Sequence, residues 1–95
     1  MVMPMTVMAT FLKIDEERIV LVLHEAGEKL DNAEGEVVLD FSSVDRIDAT
    51  GLRAMEEFAD IADDKGVKVA LRGVNVSVYK VLKLVKLASR FSFVN

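Results

Sequence analysis

The sequence contains no cysteine, which excludes disulfide bonds and thiolate metal sites and leaves the redox compartment open. Its one histidine, His24, excludes any metal site built from a pair of histidines. No apolar run approaches the length that crosses a membrane, and Met1–Met5 lacks the basic start of a secretory signal. We therefore expect a cytoplasmic protein that holds no metal and inserts no segment into a membrane.

The chain has 95 residues, 52% of them hydrophobic, which is enough apolar material for one modest core. It shows no internal repeat, no linker and no low-complexity stretch that would mark a boundary between domains. We therefore expect a single domain that covers residues 1–95.

The charges are divided between two parts of the chain. All sixteen acidic residues lie between Asp15 and Asp64, where four basic residues leave a net charge of −12 (4 − 16). From Lys65 onward there are seven basic residues and no acidic one, a net charge of +7. The acidic part would repel phosphates, which argues against general nucleic-acid binding, whereas the asymmetry favours oriented docking on a charged protein.

The first third of the chain predicts a β-hairpin followed by a short helix. Residues 6–14 are rich in β-branched and apolar side chains, residues 15–17 form a polar turn, and residues 18–23 are almost wholly apolar. Residues 24–33 have room for two or three helical turns only, and Gly27 weakens that helix or marks a turn.

Strands and helices alternate through the rest of the chain. Gly66 suits the left-handed residue that ends a helix, and Asn75 suits the N-cap of the last helix. This alternation predicts an α/β fold in which a mixed, mostly parallel sheet of four to five strands packs with three to four helices. The predicted elements are a turn at 32–35, strands at 36–41, 67–71 and 91–94, and helices at 51–65 and 76–87. The residues of the last helix expected to face inward are Val78, Val81, Leu82 and Val85.

The most informative stretch is the polar turn between the strand at 36–41 and the next helix, where α/β folds commonly place their binding sites. The turn reads Asp40-x-Ser42-x-Val44 and then Ile47-Asp48-Ala49-Thr50-Gly51-Leu52. This order and spacing resembles the signature of STAS domains, a family that includes the bacterial anti-sigma-factor antagonists. The resemblance extends from about Val37 to the C-terminus.

The resemblance implies a non-catalytic regulator of transcription that binds an anti-sigma factor, itself a serine/threonine switch kinase, and so frees a sigma factor. Thr50 occupies the place of the family's phosphorylated serine, and Ala49 stands where many members have a further serine. Phosphorylation of Thr50 would release the partner. ATP would belong to the kinase, so no cofactor is expected in this chain. The predicted partner-binding residues are Asp48, Ala49, Thr50, Gly51, Leu52, Arg53, Glu56 and Glu57.

Simpler roles remain open for the polar residues of this turn. A phosphate on Thr50 would meet the positive end of the helix dipole, yet Thr50 or Asp48 could equally be a helix cap. We expect Asp40 and Asp48 to organise turns, because no base lies near enough in the sequence to make them catalytic. Ser42 and Ser43 are alternative phosphoacceptors that turn formation also explains.

Two other functions fit the same resemblance. The residues from Leu71 to Tyr79 resemble the strand-to-helix passage of small STAS subunits of lipid-transport ABC complexes, which would dock on a cytoplasmic ATPase. Nucleotide or anion binding, as proposed for relatives on sulfate transporters, is a third option. The acidic outer face of helix 51–65 is either a solvated surface or a docking surface for a basic partner. A basic stripe on the last helix is likewise either solvated or a docking surface for an acidic protein or a phospholipid headgroup. The stripe consists of Lys80, Lys83 and Lys86.

Overall fold

Four parallel strands form one sheet in the computed structural model, which describes residues 9–30 and 35–94. The strands lie side by side in the order of the chain, so each one pairs with the next along the sequence. They are β1 (Ala9–Lys13), β2 (Glu36–Asp40), β3 (Lys68–Arg72) and β4 (Ser92–Val94).

A helix lies in each connection between successive strands, because a chain that forms parallel strands must return to the edge where the first one began. The helices are α1 (Ile19–Lys29), α2 (Ala49–Lys65) and α3 (Val76–Leu84), with short 3-10 turns at Glu16–Arg18 and Ala88–Arg90. Gly66 ends α2 in the left-handed conformation, with φ of 68°, as the sequence predicted. Asn75 caps α3 as predicted, its side chain accepting a hydrogen bond from the Val78 N–H at 2.8 Å.

The main apolar core lies on one face of the sheet, beneath the helices. Val37 and Leu39 of β2 and Val69 and Leu71 of β3 point to it, because alternate residues of a strand share a face. Phe58 of α2 is buried in the same core, and α1 packs beside α2. The predicted α/β fold, with a mostly parallel four- to five-stranded sheet and three to four helices, is confirmed.

Residues 19–23 form the start of α1 and Arg18 ends the 3-10 turn before it, so the predicted β-hairpin is wrong and the described strands are parallel throughout. Asp15 caps a single 3-10 turn that leads directly into α1. The buried residues of α1 recur at helical spacing, at Ile19, Leu23 and Gly27, and face α2. Packing against α2 therefore overrides the β propensity of this apolar run.

The first helix lies earlier in the chain than predicted, because it starts at Ile19 rather than His24 and ends at Lys29. Gly27 is a buried residue within this helix and not in a turn. A Cβ at Gly27 would lie 3.0 Å from Cδ1 of Ile61, so the missing side chain allows α1 and α2 to approach closely.

The last helix differs from the prediction in two details. It ends at Leu84, earlier than expected, and the chain then passes through a positive φ of 65° at Lys86. Val85, predicted to face inward, is exposed beyond the end of the helix. Predicted strand residues 6–8 and predicted turn residues 32–34 lie outside the described residues.

Candidate functional site

The loop between β2 and α2, residues 41–48, begins beside a carboxylate that shapes its first turn. Asp40 Oδ1 accepts a hydrogen bond from the Ser42 backbone N–H at 2.9 Å, and the Ser42 hydroxyl bonds to the same side chain. These bonds hold the pKa of Asp40 below its usual value, aided by the charges of its sheet neighbours Arg72 and Lys13. Asp40 therefore organises a turn, as the sequence predicted.

The loop ends at a second carboxylate, Asp48, which caps α2. Its Oδ1 accepts hydrogen bonds from the Gly51 backbone N–H at 2.9 Å and from the Thr50 hydroxyl at 2.7 Å. The Gly51 bond, and after it the Thr50 bond, lower the pKa of Asp48. Asp48 thus occupies the anion-binding position at this helix end, and the Thr50 hydroxyl helps to hold its carboxylate there.

Two side chains from distant parts of the chain hold the middle of the loop. Glu16 Oε1 accepts hydrogen bonds from the backbone N–H groups of Asp45 at 2.6 Å and Arg46 at 3.0 Å. Asn75 Nδ2 donates to the carbonyl oxygens of Val44 at 3.3 Å and Asp45 at 3.2 Å. Sequence reasoning missed both roles, because each bond joins residues 29 to 31 positions apart and no local pattern indicates such a pairing.

Two glycines allow neighbouring elements to approach this loop. Gly51 is buried, and a Cβ there would lie 2.9 Å from Cγ1 of Ile47 and 3.4 Å from Cγ2 of Ile19. Gly73 has a φ of 72°, and a Cβ there would lie 3.0 Å from Cβ of Ser42. The absence of these side chains lets the first turn of α2 and the turn after β3 pack directly against the loop.

Six of the eight predicted partner-binding residues are exposed. Gly51 is buried and presents only its backbone, and Leu52 is half-buried against the core. Asp48 and Thr50 are joined by their hydrogen bond, whereas Glu56 lies two helical turns further along α2. The exposed six are Asp48, Ala49, Thr50, Arg53, Glu56 and Glu57.

An open groove of about 710 Å³ lies beside Thr50 and was not predicted from the sequence. Val20 and Leu21 of α1 line it, and their side chains are 45% and 46% exposed. Charges of both signs line the same groove, positive from Arg18 and Arg46 and negative from Glu16, Glu17 and Asp48. The helical spacing of the buried residues in α1 was the signal that could have revealed this exposed apolar pair.

The site offers an exposed hydroxyl, a capping carboxylate and an apolar groove. His24, which lines the groove, is exposed and lies 3.7 Å from Glu28 on its own helix. Among the residues that the structure describes, no group of three or more His, Asp or Glu side chains is placed to hold a metal ion. Within residues 9–30 and 35–94, no helix has the length and apolar character needed to cross a membrane.

Comparison with solved structures finds several with the same fold. A proposed anti-sigma factor antagonist from Thermotoga maritima has a TM-score of 0.70 and 22% identity, over 93% of this chain and 74% of that one. A sulfate transporter family protein from Wolinella succinogenes has a TM-score of 0.77 and 22% identity, over 98% and 80%. The STAS domain of a SulP transporter from Vibrio cholerae has a TM-score of 0.69 and 19% identity, over 98% and 77%. At these identities the likeness establishes the fold alone.

A search of curated proteins finds no match. A family model of the STAS domain, by contrast, matches residues 7–95, a span that includes the site loop and every described strand and helix. STAS domains are generally regulatory, non-catalytic modules that bind other proteins. This chain belongs to the STAS domain family.

Proposed function

We propose that this chain is a non-catalytic antagonist of an anti-sigma factor, and that it binds this switch kinase through the first turn of α2. The observation that carries the proposal is the exposed Thr50 hydroxyl, which lies at a groove with exposed apolar walls. A kinase can reach a hydroxyl in this position. The apolar walls provide the desolvated contact that a specific protein interface needs at its centre.

The loop is well suited to binding because its backbone is fixed before a partner arrives. Glu16 and Asn75 each form two hydrogen bonds that involve its backbone, and Asp48 fixes its junction with α2. A preorganised loop loses little conformational entropy on association, so more of the contact energy remains as affinity. Val20 and Leu21 would then meet an apolar side chain of the partner, with Arg18 and Arg46 nearby.

Phosphorylation of Thr50 would change this surface without reaching the core. The Thr50 hydroxyl donates to Asp48 at 2.7 Å, so a phosphate at the same oxygen would replace an attraction by a repulsion between anions. The phosphate carries nearly two negative charges, and the capping position is already occupied by Asp48. Either the phosphate turns outward to the partner or it displaces Asp48, and both outcomes oppose binding of a partner fitted to the neutral form.

A second function, as a STAS subunit of a lipid-transport ABC complex, is favoured by one observation. The Thr50 hydroxyl already supports the cap of α2 through Asp48, so its presence needs no phosphorylation to explain it. In this function the same first turn of α2 would dock permanently on the cytoplasmic ATPase. Thr50 would then be a structural residue and would carry no switch.

A pull-down from the native cell lysate distinguishes the two functions. The baits are the wild-type chain, Thr50→Glu, and Thr50→Gln as an uncharged control of matched shape, and the captured proteins are identified by mass spectrometry. Capture of an ATP-binding kinase by the wild type and by Thr50→Gln, but not by Thr50→Glu, supports the antagonist. Capture of an ABC ATPase by all three baits contradicts the antagonist and supports the transport subunit.

A further inference from the structure

The outer side of α3 carries basic and apolar side chains together. Four residues share one side of this helix, because Lys80 is four positions from Val76 and from Leu84 and three positions from Lys83. Leu84 is 81% exposed and Val76 is 68% exposed, while the opposite side of α3 packs into the core. We call the surface formed by Val76, Lys80, Lys83, Leu84 and Lys86 the α3 face.

The apolar part of the α3 face continues onto the edge of the sheet. Tyr79 meets Phe93 of β4 edge to face, with the ring centroids 5.1 Å apart. These two rings share an open groove of about 500 Å³ with Lys83 and Lys86. Val94, also exposed, lies beside Phe93 on the same edge strand. The surface therefore mixes aliphatic, aromatic and cationic groups over two elements.

The lysines of the α3 face are not held in ion pairs by the part of the chain that the structure describes. Within residues 9–30 and 35–94, none of Lys80, Lys83 and Lys86 lies at ion-pair distance from an acidic group. Two of the five acidic side chains of α2 are engaged by Arg90, which pairs with Asp60 at 2.9 Å and with Asp63 at 2.7 Å.

We propose that the α3 face docks on the surface of a bilayer that contains anionic phospholipids. Lysine stems can lie along the apolar surface while their ammonium groups reach lipid phosphates, and Leu84 and Val76 enter the headgroup boundary. Exposed aliphatic side chains dispersed among lysines suit a fluid anionic surface. A protein carboxylate is more often bound by the planar guanidinium of arginine, and the five residues of the α3 face include lysines but no arginine. No segment needs to cross the bilayer for this contact.

This docking goes beyond the proposed function and is separate from it in the molecule. The α3 face lies on α3 and the turn after it, and Tyr79 and Phe93 extend the surface to β4, whereas the Thr50 site is built from α1, the β2–α2 loop and the first turn of α2. A negatively charged lipid surface also repels the acidic outer side of α2, which favours one orientation of the domain. Thr50→Glu should therefore leave lipid binding unchanged, so the two proposals can fail independently.

Vesicle co-sedimentation of the full chain tests the proposal. The probes are vesicles of phosphatidylcholine alone and vesicles of phosphatidylcholine mixed with phosphatidylglycerol in equal amounts. One variant combines Lys80→Gln with Lys83→Gln, and a second variant is Leu84→Ser. All three side chains are exposed, so these substitutions should leave the fold intact. The matched control, Lys29→Gln with Lys68→Gln, removes the same charge from exposed positions outside the α3 face.

We expect the wild type to sediment only with the anionic vesicles and to be released by added salt. A lysine close to an anionic surface contributes about fivefold to the partition coefficient, so the paired lysine variant should lose about 25-fold. The partition coefficient of Leu84→Ser should be several-fold lower than that of the wild type. The matched control should lower the partition coefficient much less than the paired lysine variant does. Absence of wild-type binding to the anionic vesicles, equal binding to both vesicle types, or an equal loss in the control would overturn the proposal. Retention on immobilised polyglutamate without vesicle binding would also overturn it, and would assign the α3 face to an acidic protein.

Discussion

At the scale of single residues, the site depends on the contact between Thr50 and Asp48. The hydroxyl donates to the carboxylate at 2.7 Å, and the same carboxylate accepts from the Gly51 N–H at 2.9 Å. A phosphate on Thr50 cannot keep the first bond, because its oxygen no longer carries a proton to donate. The residue proposed as a switch is therefore also part of the helix cap, and modification would act on both.

Asp48→Ala should lower the free energy of unfolding by about 1 kcal/mol, because it leaves N–H groups at the start of α2 without their acceptor. Urea denaturation monitored by circular dichroism measures this change. Asp45→Ala is the matched control, since Asp45 is exposed in the same loop and is held through its backbone. It should change the free energy of unfolding by less than about 0.5 kcal/mol. Equal losses in the two variants would contradict the capping role of Asp48.

The two turn-organising carboxylates also make stability depend on pH. The pKa values of Asp40 and Asp48 are both lowered in the folded chain, chiefly by hydrogen bonds from the Ser42 and Gly51 backbones. An aspartate of lowered pKa adds stability that is fully present above its unfolded pKa of about 3.9 and is lost as the pH falls through its folded pKa. Stability of the wild type should therefore fall with pH below about 4.

The double variant Asp40→Asn with Asp48→Asn keeps side-chain oxygens that can accept these hydrogen bonds but removes both titrating groups. Its unfolding midpoint in urea should change less than that of the wild type as the pH falls below about 4. Identical pH profiles for the two proteins would show that neither carboxylate contributes to the acid dependence.

At the scale of elements, a helix or strand could be predicted where its capping residues, apolar pattern and end residues all indicated the same structure. Helix α2 has an N-cap at Asp48, an apolar stripe and a glycine at its end, and the sequence indicated it from residue 51 to residue 65, close to its observed range. The run at 18–23 was mispredicted because its β-branched residues favour a strand when taken alone. Its helical state is set by packing of Ile19 and Leu23 in the core beside α2, which is a tertiary effect.

Gly66→Ala should lower the free energy of unfolding by about 1 kcal/mol. Gly66 has a φ of 68°, and apart from its two chain neighbours no described residue has an atom within 4 Å of where its Cβ would be, so the cost comes from the backbone conformation. Gly66→Asn should cost less, because asparagine adopts the left-handed conformation more readily. Chemical denaturation measures both. A larger loss in the asparagine variant would contradict this account of the helix end.

The candidate site was predictable only in part. The strand-loop-helix order gave the position of Asp48 and Thr50, because such a loop is a common binding place in α/β folds. The supports from Glu16 and Asn75, and the apolar groove at Val20, come from residues brought together by the tertiary fold. Local sequence patterns do not encode such contacts.

At the scale of the whole molecule, a cluster of ion pairs joins the basic end of the chain to its acidic middle. Arg90, next to β4, bonds to Asp60 and Asp63 on the outer side of α2. These bonds raise the pKa of Arg90, with the Asp60 bond the larger cause, so the guanidinium remains charged. The pairing ties the segment that precedes β4 to α2.

Arg90→Gln should lower the urea midpoint of unfolding slightly at low salt, because exposed ion pairs contribute little to stability. The loss should shrink at high salt, because the two acidic partners are more than half exposed and salt screens the attraction. Denaturation at two salt concentrations measures this difference. Arg90→Lys, the control, keeps the charge and should lose less. A loss that does not depend on salt would assign the role of Arg90 to packing.

The central claim is that charge at Thr50 controls binding of the partner. We would measure by calorimetry the affinity of the wild type, Thr50→Gln and Thr50→Glu for the kinase captured from the lysate. The account predicts that Thr50→Glu binds at least tenfold more weakly than Thr50→Gln, a difference of about 1.4 kcal/mol, while both variants keep the circular dichroism spectrum of the fold. Equal affinity of Thr50→Glu and Thr50→Gln would contradict the switch and leave Thr50 as a residue of the helix cap.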